Sequence, residues 1–282
     1  MPCLYLDRNL LEAWESTRGF LDSAFVSAFL SSLAGAGLGV WGAQRLAERS
    51  SRRKELLDGL RQANALVVLA ATIANQALSV KKQHIAPLSK RYFEDKEAAE
   101  AANDVLLQGG RPEKVIHFQA EMLKITPLTV PVEALKNLTY STQLMPGRAL
   151  ALVAMVEQSL TELSYAIGVR SEQIELFKGQ DMPLELFVQS YFGLKRRDGN
   201  IDSLFHDSMV AVTQYIDDVA FFGSELADEL QGHAARIRQR LLKLSKEAPK
   251  ATTADFSGPR ESGLMPPREN YESWLSGFKS QN

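Results

Sequence analysis

The chain has 282 residues, 45% of them hydrophobic and 23% charged, which is enough to pack a core in one large domain or two small ones. Its 32 basic and 34 acidic side chains leave a net charge of −2, so the whole chain makes no electrostatic case for nucleic acid or for an acidic partner. The single cysteine, Cys3, excludes an internal disulfide and a cysteine-based zinc cluster.

Residues 1–22 form a short segment with Asp7, Glu12, Glu15 and Asp22 against Arg8 and Arg18. A secretory signal begins basic, so this opening does not read as one. Ser23 to Ala43 then carries no charge over 21 residues, about 31 Å of α-helix, which matches the hydrocarbon core of a bilayer. Arg45, Arg49, Arg52, Arg53 and Lys54 follow it. Positive charge stays cytoplasmic, so the expected orientation is N-terminus out and the bulk of the chain in. These five cations are the expected contacts for lipid headgroups, with Trp41 at the interface beside them.

Within the apolar segment small residues recur every fourth position, at Ser27, Ser31, Gly35, Gly39 and Ala43, and a second row runs through Ala24, Ala28, Ser32 and Ala36. Helices in lipid associate by close backbone approach through small residues, so the first row is the expected self-association face.

Residues 44–64 read as a charged juxtamembrane helical stalk with i, i+3 and i+4 charge pairs. Residues 65–246 read as a helical bundle. The stretch from Ala65 to Val80 is apolar enough to raise a second membrane pass, but Gln62, Asn64, Asn75 and Gln76 favour a core helix. Pro87 is expected to end that helix. Further helices are expected over 89–108, around 113–124 and 131–143, and from Arg148 to Lys178, where Leu152, Met155, Val156, Leu160, Leu163 and Ile167 share one side. A short helix is expected over 183–193. The last long one, from Asp202 to about Lys246, carries the stripe Phe205, Met209, Val212, Ile216, Val219, Phe222, Leu226, Leu230 and Ile237. Ala, Pro, Ser, Thr and Gly dominate 247–282, so that tail is expected to be disordered. Its aromatic run Tyr271 to Phe278 is either a short docking motif or, more simply, an inert terminus.

The fold class is therefore all-α: one N-terminal transmembrane helix followed by a cytoplasmic helical bundle. No phosphate-binding glycine loop follows a strand, and neither GxSxG nor HExxH occurs. Asp202/His206 and Glu229/His233 are i, i+4 pairs, but they lie about eight turns apart on one helix and cannot share a metal. No catalytic, cofactor-binding or metal site is therefore assigned. The spacing from Arg111 to His117 resembles that of helical HEPN-type ribonucleases over seven residues, with Pro112 departing from the pattern. Lys195-Arg196-Arg197 and the basic end of the last helix offer charge to anionic lipid or nucleic acid, but neither is interleaved with aromatics and the default reading is solvated charge.

The apolar segment, then AQRLAERSSRRKELLDGLRQANA and NQALSVKKQHIAPL, resembles a group of bacterial membrane-anchored helical proteins over residues 25–90. That resemblance implies the bacterial inner membrane and imports no activity. The expectation is a non-enzymatic, membrane-anchored interaction protein whose partners are membrane lipid, a second copy of itself and another protein, with no case for nucleic acid. A membrane-perturbing effector acting through its oligomerised helix is the alternative from another class, and a ribonuclease using Arg111 and His117 is a third.

Overall fold

The computed structural model describes residues 24–111, 118–142 and 145–277; before residue 39 it describes side chains only at Ala28 and Ser32. The described residues are helical or coil, with one isolated bridge between Lys195 and Ile201. Helix α1, Ala24–Val80, is 57 residues long. A π-helical turn, Lys81–Ile85, joins it to α2, Ala86–Leu107.

Pro87 therefore does not end the helical path, contrary to the expectation from sequence. Proline lacks an N–H and crowds the carbonyl four residues back, which breaks an ordinary α-ladder. A π-turn lengthens each bond by one residue, and the Ala86 N–H reaches the Lys81 carbonyl. Pro87 falls in the first turn of α2, where its missing donor is not needed.

Three of the next four helices begin directly after a proline: α3, Val132–Ser141, after Pro131; α4, Gly147–Gly179, after Pro146; and α5, Leu184–Phe192, after Pro183. Gly193 closes α5 in the left-handed region at φ +66°, and a Cβ there would stand 3.0 Å from His206 Cβ. Both facts demand glycine. The long α6, Leu204–Leu242, follows.

Helix α6 packs against α1 and against α4. Gly223 faces Ala74 while Ile237 faces Gly59, so α6 runs antiparallel to α1. Every member of the stripe read on α6 is buried, and Leu66, Ile73, Leu152, Val156, Ile216 and Leu226 form part of the core between the three helices. A second, aromatic cluster joins Tyr92, Tyr191, Phe192 and Phe205 at the α2–α5 end. A third, Leu60, Ala63, Ala234, Ile237 and Leu241, closes the other end.

At Gly223 a Cβ would meet Ala74 backbone and side-chain atoms at 3.2–3.4 Å. Gly223→Ala sets about 1 kcal/mol of helix propensity against that contact and should be nearly neutral. Gly223→Leu cannot be absorbed and is expected to lower the unfolding free energy by about 1–3 kcal/mol. Chemical denaturation of the two variants checks both values.

Among the described residues one helix, Gly39–Leu107, is long and apolar enough to cross a membrane; its apolar window has a mean hydropathy of 1.5 and is 44% buried within the protein. Residues 63–80 supply that apolar character, and Ala63, Leu66, Val67, Ala70, Ile73, Ala74, Ala77 and Leu78 are all buried. This stretch packs as a core helix, in line with its four polar interruptions. Two of those have a definite use. Asn64 donates through Nδ2 to the Lys250 carbonyl (3.0 Å) and accepts at Oδ1 from the Thr252 N–H (2.8 Å); Gln62 Oε1 accepts from the Thr142 hydroxyl at 3.5 Å.

Asn64 thereby straps down the tail, and the expectation of disorder from residue 247 onward is corrected as far as residue 277. The tail carries α7, Ser257–Glu261, a 3-10 turn, Arg268–Tyr271, and α8, Glu272–Gly277. Phe256 and Met265 are buried in the main core. The Tyr271 ring stacks on Phe221 with centroids 3.7 Å apart, and its hydroxyl donates to Asp218 at 2.7 Å. Burial and that carboxylate push the Tyr271 phenol far above its ordinary range, so it remains a donor. Tyr271 and Trp274 of the aromatic run pack on Phe221 and Phe222 of the bundle itself, and Phe278 lies outside the described residues. A second correction concerns the helix expected around 113–124: residues 118–131 are coil, and 112–117 lie outside the described residues.

Candidate functional site

The feature that sets this fold apart from a closed bundle is the N-terminal part of α1. Residues 39–55 are exposed at every position, burial begins at Leu56, and Leu60 is wholly buried. Residues 39–55 amount to about 25 Å of exposed helix ahead of the core. The segment 44–55, about 18 Å, is polar and charged; the segment before it is small and apolar.

Of the expected self-association row, Gly39 and Ala43 are exposed on this helix, while the side chains of Ser27, Ser31 and Gly35 lie outside those described. Arg45, Arg49, Arg52, Arg53 and Lys54 are all exposed, and none forms an ion pair among the described residues. The nearby acids are otherwise engaged: Glu48 accepts from Gln44 at 3.1 Å, Glu55 from Ser51 at 3.3 Å, and Asp58 pairs with Arg61 at 3.3 Å. Trp41 is 59% exposed with the Arg45 guanidinium 4.9 Å above its ring. An indole with a cation over it, at the end of an apolar helix, is the combination that an interface between hydrocarbon and headgroups favours.

The other sequence candidates resolve into structural roles. Arg111 is exposed, and its suggested partner His117 lies outside the described residues. Asp202 pairs with Arg196 at 3.2 Å rather than with His206, whose Nδ1 lies 3.1 Å from the Tyr92 hydroxyl. Burial, and then Lys96, lower the His206 pKa. Glu229 lies 3.6 Å from Arg236 and 3.8 Å from Arg148. Within the run at 195–197, Arg197 pairs with Glu185 at 3.5 Å, so much of its charge is spent locally. Among the described residues no three His, Cys, Asp or Glu side chains converge as a metal site.

An open cleft of about 740 Å³ lies between the π-turn and the 118–131 segment, lined among others by Gln83, His84, Pro87, Arg91, Glu121 and Lys124. Its cations face local carboxylates, Arg91 near Glu121 at 3.9 Å and Lys124 on Glu175 at 3.1 Å. Ser79, also in its lining, accepts from Gln83 Nε2 at 3.1 Å.

Sequence reasoning missed two buried charged groups, Arg170 and Glu225, and a half-buried one, Lys81. Arg170, only 1% exposed, donates to the carbonyls of Leu123 (2.7 Å) and Glu121 (3.1 Å) and to Met209 Sδ (3.1 Å). Burial lowers its pKa, with Tyr191 and Glu121 opposing, and it stays a cation. Lys81, in the π-turn, reaches both Asp217 and the Leu264 carbonyl at 2.6 Å. Glu225 receives Arg148 at 2.9 Å and Arg268 from the tail. Each joins segments far apart in the chain, so no local pattern announces it. No family model, curated protein or solved structure matches the chain.

Proposed function

We propose that the protein is a membrane-anchored helical interaction protein of the bacterial inner membrane. Residues 23–43 cross the bilayer with the N-terminus outside, and the charged stalk holds the bundle off the cytoplasmic face. The observation that carries this reading is the exposure of α1 from Gly39 to Glu55, where no described residue is covered by the protein itself. Exposed Val40 and Trp41 stand at the end of a run of 21 uncharged residues in the sequence, a length that a bilayer accommodates. The cations from Arg45 to Lys54, which form no ion pair among the described residues, support the same placement beside an exposed Trp41. Copies associate through Ser27, Ser31, Gly35, Gly39 and Ala43, and the bundle recruits a protein partner.

The test is the double substitution Leu33→Arg/Leu38→Arg, which places two charges near the middle of the proposed span at about 2.5–3.5 kcal/mol each. The wild type is expected to stay with the membrane pellet after carbonate washing, and the variant to move to the supernatant with its helical circular dichroism intact. A wild type that is already soluble, or a variant that still pellets, contradicts the anchor.

A further inference from the structure

The antiparallel pairing of α1 and α6 sets which residues share a level along the stalk. Gly223 meets Ala74 and Ile237 meets Gly59, so α6 advances toward the stalk as α1 recedes from it, at nearly equal pace. Leu241 accordingly packs in one cluster with Leu56, Leu57 and Leu60. The C-terminal end of α6 therefore stands beside residues 53–56 of the stalk, and the turn after it, 243–246, lies at the same end of the bundle.

That end gathers charge from two distant parts of the sequence. Residues 44–58 and 236–246 together hold ten basic side chains and three acidic ones, while the remainder of the chain holds 22 basic and 31 acidic. The near-neutral total conceals a strongly polarised molecule. Arg240, Lys243 and Lys246 are exposed and form no ion pair among the described residues. Arg238 keeps its guanidinium beside them through a bond from Nε to the Pro249 carbonyl at 3.1 Å. Burial first, and then Arg236 and Arg240, lower the His233 pKa. This differs from Arg196 and Arg197, whose charges meet Asp202 and Glu185.

We propose that the stalk-side end of the bundle, built from Arg240, Lys243 and Lys246 together with Arg52, Arg53 and Lys54, is a binding surface for the anionic lipid headgroups of the membrane that holds the anchor. This inference rests on the membrane reading above. If hydrocarbon ends near Ala43, the level of Lys54 lies about 16.5 Å along the helix from that boundary. Headgroups occupy about the first 7 Å of that distance, so the basic end stands within about one Debye length of them, before the reach of a lysine side chain is counted. The surface adds to the attraction of the stalk cations and sets the bundle's standing height and tilt over an anionic membrane.

The experiment reconstitutes the full-length protein into vesicles of phosphatidylcholine alone or of phosphatidylcholine with phosphatidylglycerol. A membrane-impermeant acylating reagent is applied, and modification of Lys243 and Lys246 is read by mass spectrometry against exposed Lys90 in the same molecules. Phosphatidylglycerol is expected to slow Lys243 and Lys246 about threefold or more relative to Lys90, and high salt should remove the protection. Equal relative rates in the two kinds of vesicle overturn the headgroup surface while leaving the anchor standing. Protection by added nucleic acid but not by phosphatidylglycerol overturns it in favour of a nucleic-acid surface. Protein that does not float with either kind of vesicle removes the anchor, and this inference with it.

Discussion

Replacing Arg170 by alanine is expected to lower the unfolding free energy by about 3–5 kcal/mol, the largest effect of any single side chain in the bundle. The guanidinium is the main bond between α4 and the 118–131 segment, and it also touches α6 through Met209. Its centre lies 5.5 Å from the Phe205 ring. Removing it leaves two carbonyls without their donor, a cavity beside Phe205, and a segment with no regular structure of its own to hold it. Arg170→Lys keeps the charge but not the fork that serves both carbonyls, so it should fall between alanine and wild type. Denaturant unfolding of the full chain in mild detergent measures this, and an unchanged midpoint for the alanine variant contradicts the assigned role.

The second large effect belongs to the tail. Phe256→Ala is expected to cost about 3 kcal/mol, because that ring is 2% exposed within the main core. Stopping the chain after Lys246 should cost more. It also removes Met265, the Tyr271 stack on Phe221, the Trp274 contact with Phe222 at 5.1 Å, and the Arg268 partner of buried Glu225. Thermal unfolding followed by circular dichroism checks this. A truncated chain that melts with the full-length protein would return the tail to the disordered state that its composition suggests.

That composition was misleading for a physical reason. The buried Phe256 and Met265 and the half-buried Tyr271 and Trp274 sit at irregular spacings between Pro, Gly and Ser. Each docks singly on a surface that α1, α4 and α6 make together, so neither a period of 3.6 nor one of 2 appears. The long elements are the opposite case. Leu152, Val156, Leu160, Leu163 and Ile167 on α4, and the stripe from Phe205 to Ile237 on α6, repeat every three or four residues because each helix buries one broad face. Prolines at 131, 146 and 183 stand directly before α3, α4 and α5. Pro87 did not mark an end, because a π-turn absorbed it, and whether a chain breaks or bulges at proline depends on what packs on either side. Here Lys81, inside the turn, is held by Asp217 of α6, a residue 136 positions away in the sequence.

The candidate site divides along the same line. The cations at 45–54 and the apolar run before them were legible because adjacency in sequence is adjacency on a helix. The contribution of Arg240, Lys243 and Lys246 was not, because it depends on the antiparallel register of α1 and α6, fixed by contacts such as Gly223 on Ala74. Taken alone, the basic end of α6 looks like a complement to the helix dipole. Beside the stalk it becomes part of one charged end.

The most direct test of the account uses the single native cysteine. In spheroplasts expressing the full chain, a membrane-impermeant maleimide should label Cys3 from outside. A Cys3→Ser/Arg53→Cys variant, with its only thiol in the stalk, should be labelled only after the membrane is permeabilised. Labelling of both from outside, of neither until permeabilisation, or recovery of the protein in the soluble fraction would contradict a single crossing with the bundle in the cytoplasm.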